Sequence, residues 1–174
     1  MNKKYPIGQL SYSEDYTDDE LDNWLNDIAL LPDRIRDEIQ GCSDDILLTP
    51  YRDGSWNTRQ LISHLIDSHS NAINRIKFAL TEDSPSIKPY DQDAWVEIED
   101  QFGLPLEMNL DLLENIHEKL VRMYYSLSEA DWKRTYTKEG SGTYTLSHSA
   151  ALYAWHSNHH LAHIRLVTRE KANN

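Results

Sequence analysis

Four histidines stand close together near the end of this 174-residue sequence, in the stretch WHSNHHLAH from Trp155 to His163. On a helix, which advances about 100° per residue, the four rings fall within a sector of about 100°. Burying several imidazoles on one face is costly unless the rings are neutral and have partners. A metal ion is one such partner, because it binds neutral imidazole through a ring nitrogen. The pattern therefore indicates metal chemistry.

Two pairs in this cluster have the i, i+4 spacing that lets both rings reach one ion. These pairs are His156 with His160 and His159 with His163. The spacing alone does not choose between them. A small mononuclear site also needs a third ligand, which we expect from a different helix.

The third ligand has four candidates outside the cluster. They are His64, His69, His117 and His148. His64 has the most apolar context, since Leu61 and Leu65 flank it on a helical pattern. Asp67 follows His64 at i+3, where a carboxylate could orient a ligand ring or act as a general base. His69, His117 and His148 are interpreted as structural residues, as most single histidines are.

The elements that must position these side chains are helical, because apolar residues recur at three- and four-residue spacing. The predicted long helices cover residues 21–39, 57–80, 109–127 and 147–170. Pro32 is expected to kink the first of them. The second helix begins at Asn57, and Gln60 completes a capping box there. Four amphipathic helices predict an all-α four-helix bundle, a fold that often holds metal or ligand sites between facing helices.

Shorter features complete the predicted fold. Residues 81–90 contain Pro85 and Pro89 and are expected to form a loop, and a short extra helix is expected within residues 91–100. The Gly-Ser-Gly stretch between Tyr136 and Tyr144 predicts a small hairpin or an ordered loop. The first 16 residues are interpreted as a surface arm.

Composition excludes several classes of function. The chain has 17 Lys and Arg against 29 Asp and Glu, for a net charge of −12, which disfavours nucleic acid and anionic membrane surfaces as partners. Cys42 is the only cysteine, so no internal disulfide forms, and we interpret it as an incidental thiol. No nucleotide-binding glycine motif occurs. With no signal peptide or membrane-spanning run visible, a cytoplasmic protein is expected.

Four blocks of this sequence resemble the YfiT-type branch of the DinB-like superfamily. The blocks are YPIG at 5–8, TPYRDGSWNTRQLISHLIDSH at 49–69, KPYD at 88–91 with Trp95, and LYAWHSNHHLAHI at 152–164. Together they extend over nearly the whole chain, and the second and fourth are long and specific.

This resemblance implies a single DinB-like four-helix-bundle domain over residues 1–174 and a homodimer. It implies one divalent metal ion per chain on His64, His156 and His160, which selects the pair that spacing left open. Family members are described as metal-dependent hydrolases, and related DinB-like proteins are thiol-dependent transferases, including ones that use bacillithiol. His159 and His163 would then be neighbours of the site or of the dimer surface.

Three neutral histidines around a divalent ion leave an open position, which is the pattern of a catalytic site. Such an ion lowers the pKa of bound water to about 7, and it lowers the pKa of a bound thiol by the same logic. The leading hypothesis is therefore a hydrolase acting on a small molecule, with zinc or nickel and with Asp67 as supporting carboxylate. The alternatives are a bacillithiol-type S-transferase for a low-molecular-weight thiol and a non-catalytic metal-binding bundle.

Overall fold

The structure is a computed structural model that describes residues 2–100 and 103–172. Its helices are α1 (Asp18–Ala29), α2 (Leu31–Ile39), α3 (Asp44–Leu47), α4 (Thr58–Thr81), α5 (Gln92–Trp95), α6 (Leu106–Tyr125), α7 (Glu129–Trp132) and α8 (Leu146–Ala172). Its strands are β1 (Ser86–Ile87), β2 (Thr135–Lys138) and β3 (Gly142–Thr145). None of the helices in this part of the chain has the length and apolar character needed to cross a membrane.

The bundle forms from α4, α6, α8 and the pair α1–α2, which together fill one helical position. Helix α8 packs against α1, α2 and α4, and α6 packs against α1, α2 and α4. Their apolar stripes meet in one core, whose fully buried members include Leu25, Ile28, Leu31, Ile35, Leu61, Leu65, Ile76, Leu110, Leu113, Leu120, Leu161 and Ile164. The predicted all-α four-helix bundle is confirmed.

The prediction of one kinked helix over residues 21–39 is wrong, because the segment divides at Leu30 into α1 and α2. Pro32 lies in the first turn of α2. Proline has no N–H to donate to the carbonyl four residues earlier, and its ring clashes with that carbonyl, so it begins a helix more readily than it continues one. The carbonyl deprived of its usual helical donor is that of Ile28.

The start of α4 is set by the capping box that the sequence predicts. The side-chain oxygen of Asn57 accepts a hydrogen bond from the Gln60 backbone N–H at 2.9 Å, and the Gln60 side chain accepts one from the Asn57 N–H at 3.0 Å. The helix that follows runs for 24 residues. It places His64 two turns from its first residue, on the face that Leu61 and Leu65 bury in the core.

A three-stranded sheet of order β1–β2–β3 covers one end of the bundle. The predicted hairpin is confirmed, since β2 pairs with β3 in antiparallel register from Thr135 opposite Thr145. The prediction of a plain loop over residues 81–90 is wrong in part, because β1 pairs in parallel with β2. A two-residue strand between two prolines has no pattern of its own, and its pairing to β2 is non-local.

Other boundaries also differ from the prediction. The short helix covers only Gln92–Trp95, α6 begins after Pro105 and so before the predicted Asn109, and the four-residue helices α3 and α7 were not predicted. Residues 2–16 lie at the surface as predicted, and the Tyr12 hydroxyl connects this segment to the start of α8, 2.9 Å from the Ser147 hydroxyl.

The first prediction concerns the capping box. We expect Asn57→Ala to lower the free energy of unfolding by about 1 kcal/mol, because the Gln60 backbone N–H loses its side-chain acceptor. Urea unfolding followed by circular dichroism measures this change. Asn57→Asp keeps an acceptor at the cap and is the matched control. Equal stability of Asn57→Ala and the wild type would contradict the proposed role of the cap.

Candidate metal centre

Three imidazole rings converge where α4 packs against α8. His64 extends from α4, while His156 and His160 lie one turn apart on α8. The Nε2 atom of His156 lies 3.1 Å from Nε2 of His64 and 3.1 Å from Nε2 of His160. One ligand atom from each ring falls within 4.8 Å of the others. Two nitrogens bound to one tetrahedral zinc ion are about 3.3 Å apart, so this donor set fits a small divalent ion.

Burial keeps these rings neutral at physiological pH. His64 and His160 are buried, and burial lowers the pKa of His64 to about 4. Burial also moves the pKa values of His156 and His160 well below their usual range, and the neighbouring histidines lower them further. Because a neutral imidazole keeps a lone pair on one nitrogen, the rings are already in the protonation state that binds metal.

A chain of hydrogen bonds connects one of these rings to the backbone of α1. Nδ1 of His156 lies 3.2 Å from Nε2 of His69, and Nδ1 of His69 lies 2.7 Å from Nε2 of His117. At the far end, Nδ1 of His117 lies 2.6 Å from the carbonyl oxygen of Ile28. His69 and His117 are both buried, and burial lowers their pKa values, to about 4 for His117.

The carbonyl oxygen at the far end fixes which nitrogen donates in each hydrogen bond of this series. A carbonyl oxygen only accepts, so Nδ1 of His117 carries the proton and donates it to Ile28. The bare Nε2 of neutral His117 then accepts from Nδ1–H of His69. By the same step, Nε2 of His69 accepts from Nδ1–H of His156. The Nε2 lone pair of His156 is therefore left toward His64 and His160, the arrangement typical of a metal-ligating histidine.

The sequence interpretation treats His69 and His117 as structural residues, and the structure shows both of them buried in a hydrogen-bond chain to His156, a connection that the sequence does not predict. Each comes from a different helix, α4 and α6, and their alignment depends on how those helices pack. One sequence feature points toward this hydrogen-bond chain: Pro32 has no N–H, so the Ile28 carbonyl needs a donor from elsewhere. The sequence does not show that His117 is that donor.

The second i, i+4 pair has a different environment. The ring of His159 stacks on Trp155 with centroids 4.4 Å apart, and the ring of His163 stacks on Tyr51 with centroids 3.9 Å apart. Both histidines line a cavity of about 330 Å³, and His160 lines it too. The structure thus brings His156 and His160 together with His64, and it places His159 and His163 in the wall of an adjoining cavity.

Asp67 lies one helical turn after His64 on α4 and is half-buried. Burial raises the pKa of its carboxyl to about 6, and the charge of Asp100 adds to the rise. A carboxyl with this pKa gains and loses a proton close to neutral pH, as an acid–base group requires.

Two further residues considered from the sequence lie apart from the three rings. His148, at the start of α8, stacks on Tyr12 with ring centroids 4.3 Å apart and also contacts the Tyr144 ring. Cys42 is a half-buried free thiol just after the end of α2.

The chain is similar to known proteins in sequence. A family model described as the DinB superfamily matches residues 28–164. A curated relative from Oceanobacillus iheyensis, named "Putative metal-dependent hydrolase", is 40% identical over 171 residues, covering 98% of this chain and 99% of the relative. A protein with the same description from Bacillus mycoides is 40% identical over 170 residues, and the match covers 98% of this chain and 97% of that relative.

A solved structure is also similar over almost the full length. This structure is YfiT from Bacillus subtilis, described as "a probable metal-dependent hydrolase with an unusual four-helix bundle topology". The TM-score is 0.93 at 35% sequence identity, and the match covers 99% of each chain. The similarity in fold thus accompanies the similarity in sequence.

The second prediction concerns the hydrogen-bond chain. We expect His69→Leu to weaken zinc binding by about 10–100-fold, because His156 loses the acceptor that orients it. His69→Gln can place an amide oxygen near the lost acceptor and should recover part of the affinity. Competition with a chelator of known affinity measures the change. His148→Leu is the control on α8, and wild-type affinity in His69→Leu would contradict the role of this chain.

Proposed function

We propose that this chain, which belongs to the DinB superfamily, is a metal-dependent hydrolase of a small-molecule substrate. In this proposal His64, His156 and His160 hold one divalent ion per chain. The observation that carries it is the convergence of three neutral imidazole rings from two helices, with Nε2 of His156 lying 3.1 Å from Nε2 of each of the other two. The names of the similar proteins support the same reaction class.

Three histidine ligands are typical of catalytic rather than structural sites, since structural zinc usually has four protein ligands. When bound, the ion supplies a Lewis acid and lowers the pKa of water in its remaining position to about 7. Zinc and nickel both suit imidazole ligands, and we propose one of these two. The homodimer stays a prediction from the resemblance, and the cytoplasmic location stays a prediction from the sequence.

Other residues of this protein have supporting roles in the proposed reaction. His69 and His117 orient His156 through the chain that ends on Ile28. The cavity lined by His160 gives a small substrate a route to the three rings. We assign the role of general base to Asp67, which lies one helical turn after His64 on α4, and its pKa of about 6 is compatible with accepting a proton near neutral pH.

A thiol S-transferase is the second candidate. The three ligands are neutral, so a divalent ion would keep its full charge and lower the pKa of a bound thiol as well as that of water. The two reactions differ in a simple requirement. A hydrolase turns over its substrate without thiol, whereas a transferase forms a conjugate only when thiol is supplied.

The third prediction tests the ligand set and the reaction class. We expect His160→Ala to lose the one equivalent of metal that the wild type retains, as measured by elemental analysis of purified protein. His148→Ala, also on α8, should keep its metal. We further expect the wild type to hydrolyse members of a panel of p-nitrophenyl esters without thiol, and chelation to abolish this activity.

Several outcomes would contradict this prediction. Full metal content in His160→Ala would refute the ligand set. Conjugation of 1-chloro-2,4-dinitrobenzene with added cysteine, without ester hydrolysis, would favour the S-transferase. Metal binding without either activity would favour the non-catalytic bundle.

The fourth prediction concerns Asp67. Its pKa in the folded protein, about 6, exceeds the ordinary value of 3.8, so ionising it costs folding free energy as the pH rises through this interval. We expect Asp67→Asn to be more stable than the wild type at about pH 8 and equal to it below about pH 4. The same variant should lose about 10²–10⁴-fold in turnover.

Urea unfolding at the two pH values and turnover at saturating substrate measure these effects. Asp22→Asn, at an exposed position of α1, is the control. Loss of stability at high pH, or unchanged turnover, would show that Asp67 has a structural role instead.

A further inference from the structure

We infer that the cavity beside the three histidines binds a substrate carrying a negatively charged group, which Arg52 and Lys4 recognise. This inference rests on the proposed function, since it names the substrate class of the same site. The chain as a whole is strongly acidic, so a cation-lined cavity needs an explanation.

The cavity continues directly from the metal centre. His160 lines it, and its wall includes Trp56, whose ring centroid is 4.7 Å from that of His64 and 6.3 Å from that of His160. Aromatic rings of Tyr5 and Tyr51 also line it. Its volume of about 330 Å³ lies at the lower end of the range for ligand sites and suits a small molecule.

Arg52 differs from most arginines of this protein. The arginines at 34, 36, 59, 122, 165 and 169 each have a carboxylate within 4.0 Å. Among the described residues no carboxylate pairs with Arg52, whose Nη1 donates to the carbonyl of Asp53 at 3.2 Å. Its Nε–H is buried and has no hydrogen-bond partner in the same part of the chain. Because Nε is enclosed, a ligand in the cavity would meet the guanidinium at its terminal nitrogens, which present further N–H donors in the same plane.

Lys4 supplies the second cation of the cavity wall. Its ammonium group lies 5.7 Å from the centroid of the Tyr5 ring, and the Arg52 guanidinium lies 5.5 Å from that of Tyr51. Asp93 also lines the cavity and offsets one of these charges. With neutral histidines the wall keeps a net positive charge. A divalent ion next to it would increase the attraction for an anion.

These positions suggest how a substrate lies in the cavity. A carboxylate or phosphate group would accept hydrogen bonds from Arg52, whose planar guanidinium matches either group. An apolar middle portion would contact the rings of Tyr51 and Trp56. The reacting group would then be directed to the end of the cavity where His160 lies. The competing explanation is that Arg52 only stacks on Tyr51.

The fifth prediction compares benzoate with benzamide, which have nearly the same shape and differ in charge. We expect calorimetry to show that the metal-loaded protein binds benzoate about tenfold or more tightly than benzamide. This preference should disappear in Arg52→Met and persist in part in Arg52→Lys. Arg122→Met removes an exposed arginine of α6 and is the control. Added salt should weaken the preference.

The same titrations on metal-free protein separate the possible outcomes. If Arg52 recognises the anion, the preference survives chelation and still depends on Arg52. Equal binding of benzoate and benzamide, or an unchanged preference in Arg52→Met, overturns the inference. A preference that needs the metal and ignores Arg52 overturns it as well, because the ion alone would then select the carboxylate. None of these readings requires turnover, so they are independent of the hydrolase test.

Discussion

The carbonyl oxygen of Ile28 sets the direction of the hydrogen-bond chain that ends at the three converging histidines. Because this atom only accepts hydrogen bonds, it fixes the proton positions of His117, His69 and His156 in turn. Pro32 makes the carbonyl available by withholding the N–H that a continuous helix would supply. The break between α1 and α2 therefore serves the site as well as the fold. The hydrogen-bond chain connects α1, α6 and α4 to His156 on α8.

Burial of so many imidazoles has an energetic consequence. Each ring with a depressed pKa would gain hydration and a proton if the chain unfolded in mild acid, so these rings oppose folding as the pH falls below their ordinary value of 6.5. The protein tolerates this cost because the apolar core around the site is extensive. Asp67 has the opposite pH dependence, since it opposes folding when ionised. Such local costs are common where a site is preorganised for function.

The sequence predicts those parts of the site that depend on local rules. The capping box predicts the start of α4, and helical spacing predicts the i, i+4 histidine pairs of α8. The apolar residues around His64 favour it as the third ligand. The choice between the pairs needed the family resemblance, because both have the same spacing. The roles of His69 and His117 depend on how three helices align in register, which no local pattern encodes. For the same reason β1, which pairs with a distant strand, was predicted as loop.

The loop of residues 50–57 lines the cavity and leads into α4, the helix that carries His64. Pro50 pairs with Asn57 across this loop, and the Ser55 hydroxyl bonds both the N–H and the carbonyl of Arg52. Arg52 is thereby held by a closed turn, and the loop ends in the residue that caps the helix carrying His64. Preorganisation of this kind lowers the entropy lost when a ligand binds. The hydrogen-bond chain to Ile28 leaves from Nδ1 of His156, whereas the cavity reaches the three rings at His160, so the two features contact different members of the group.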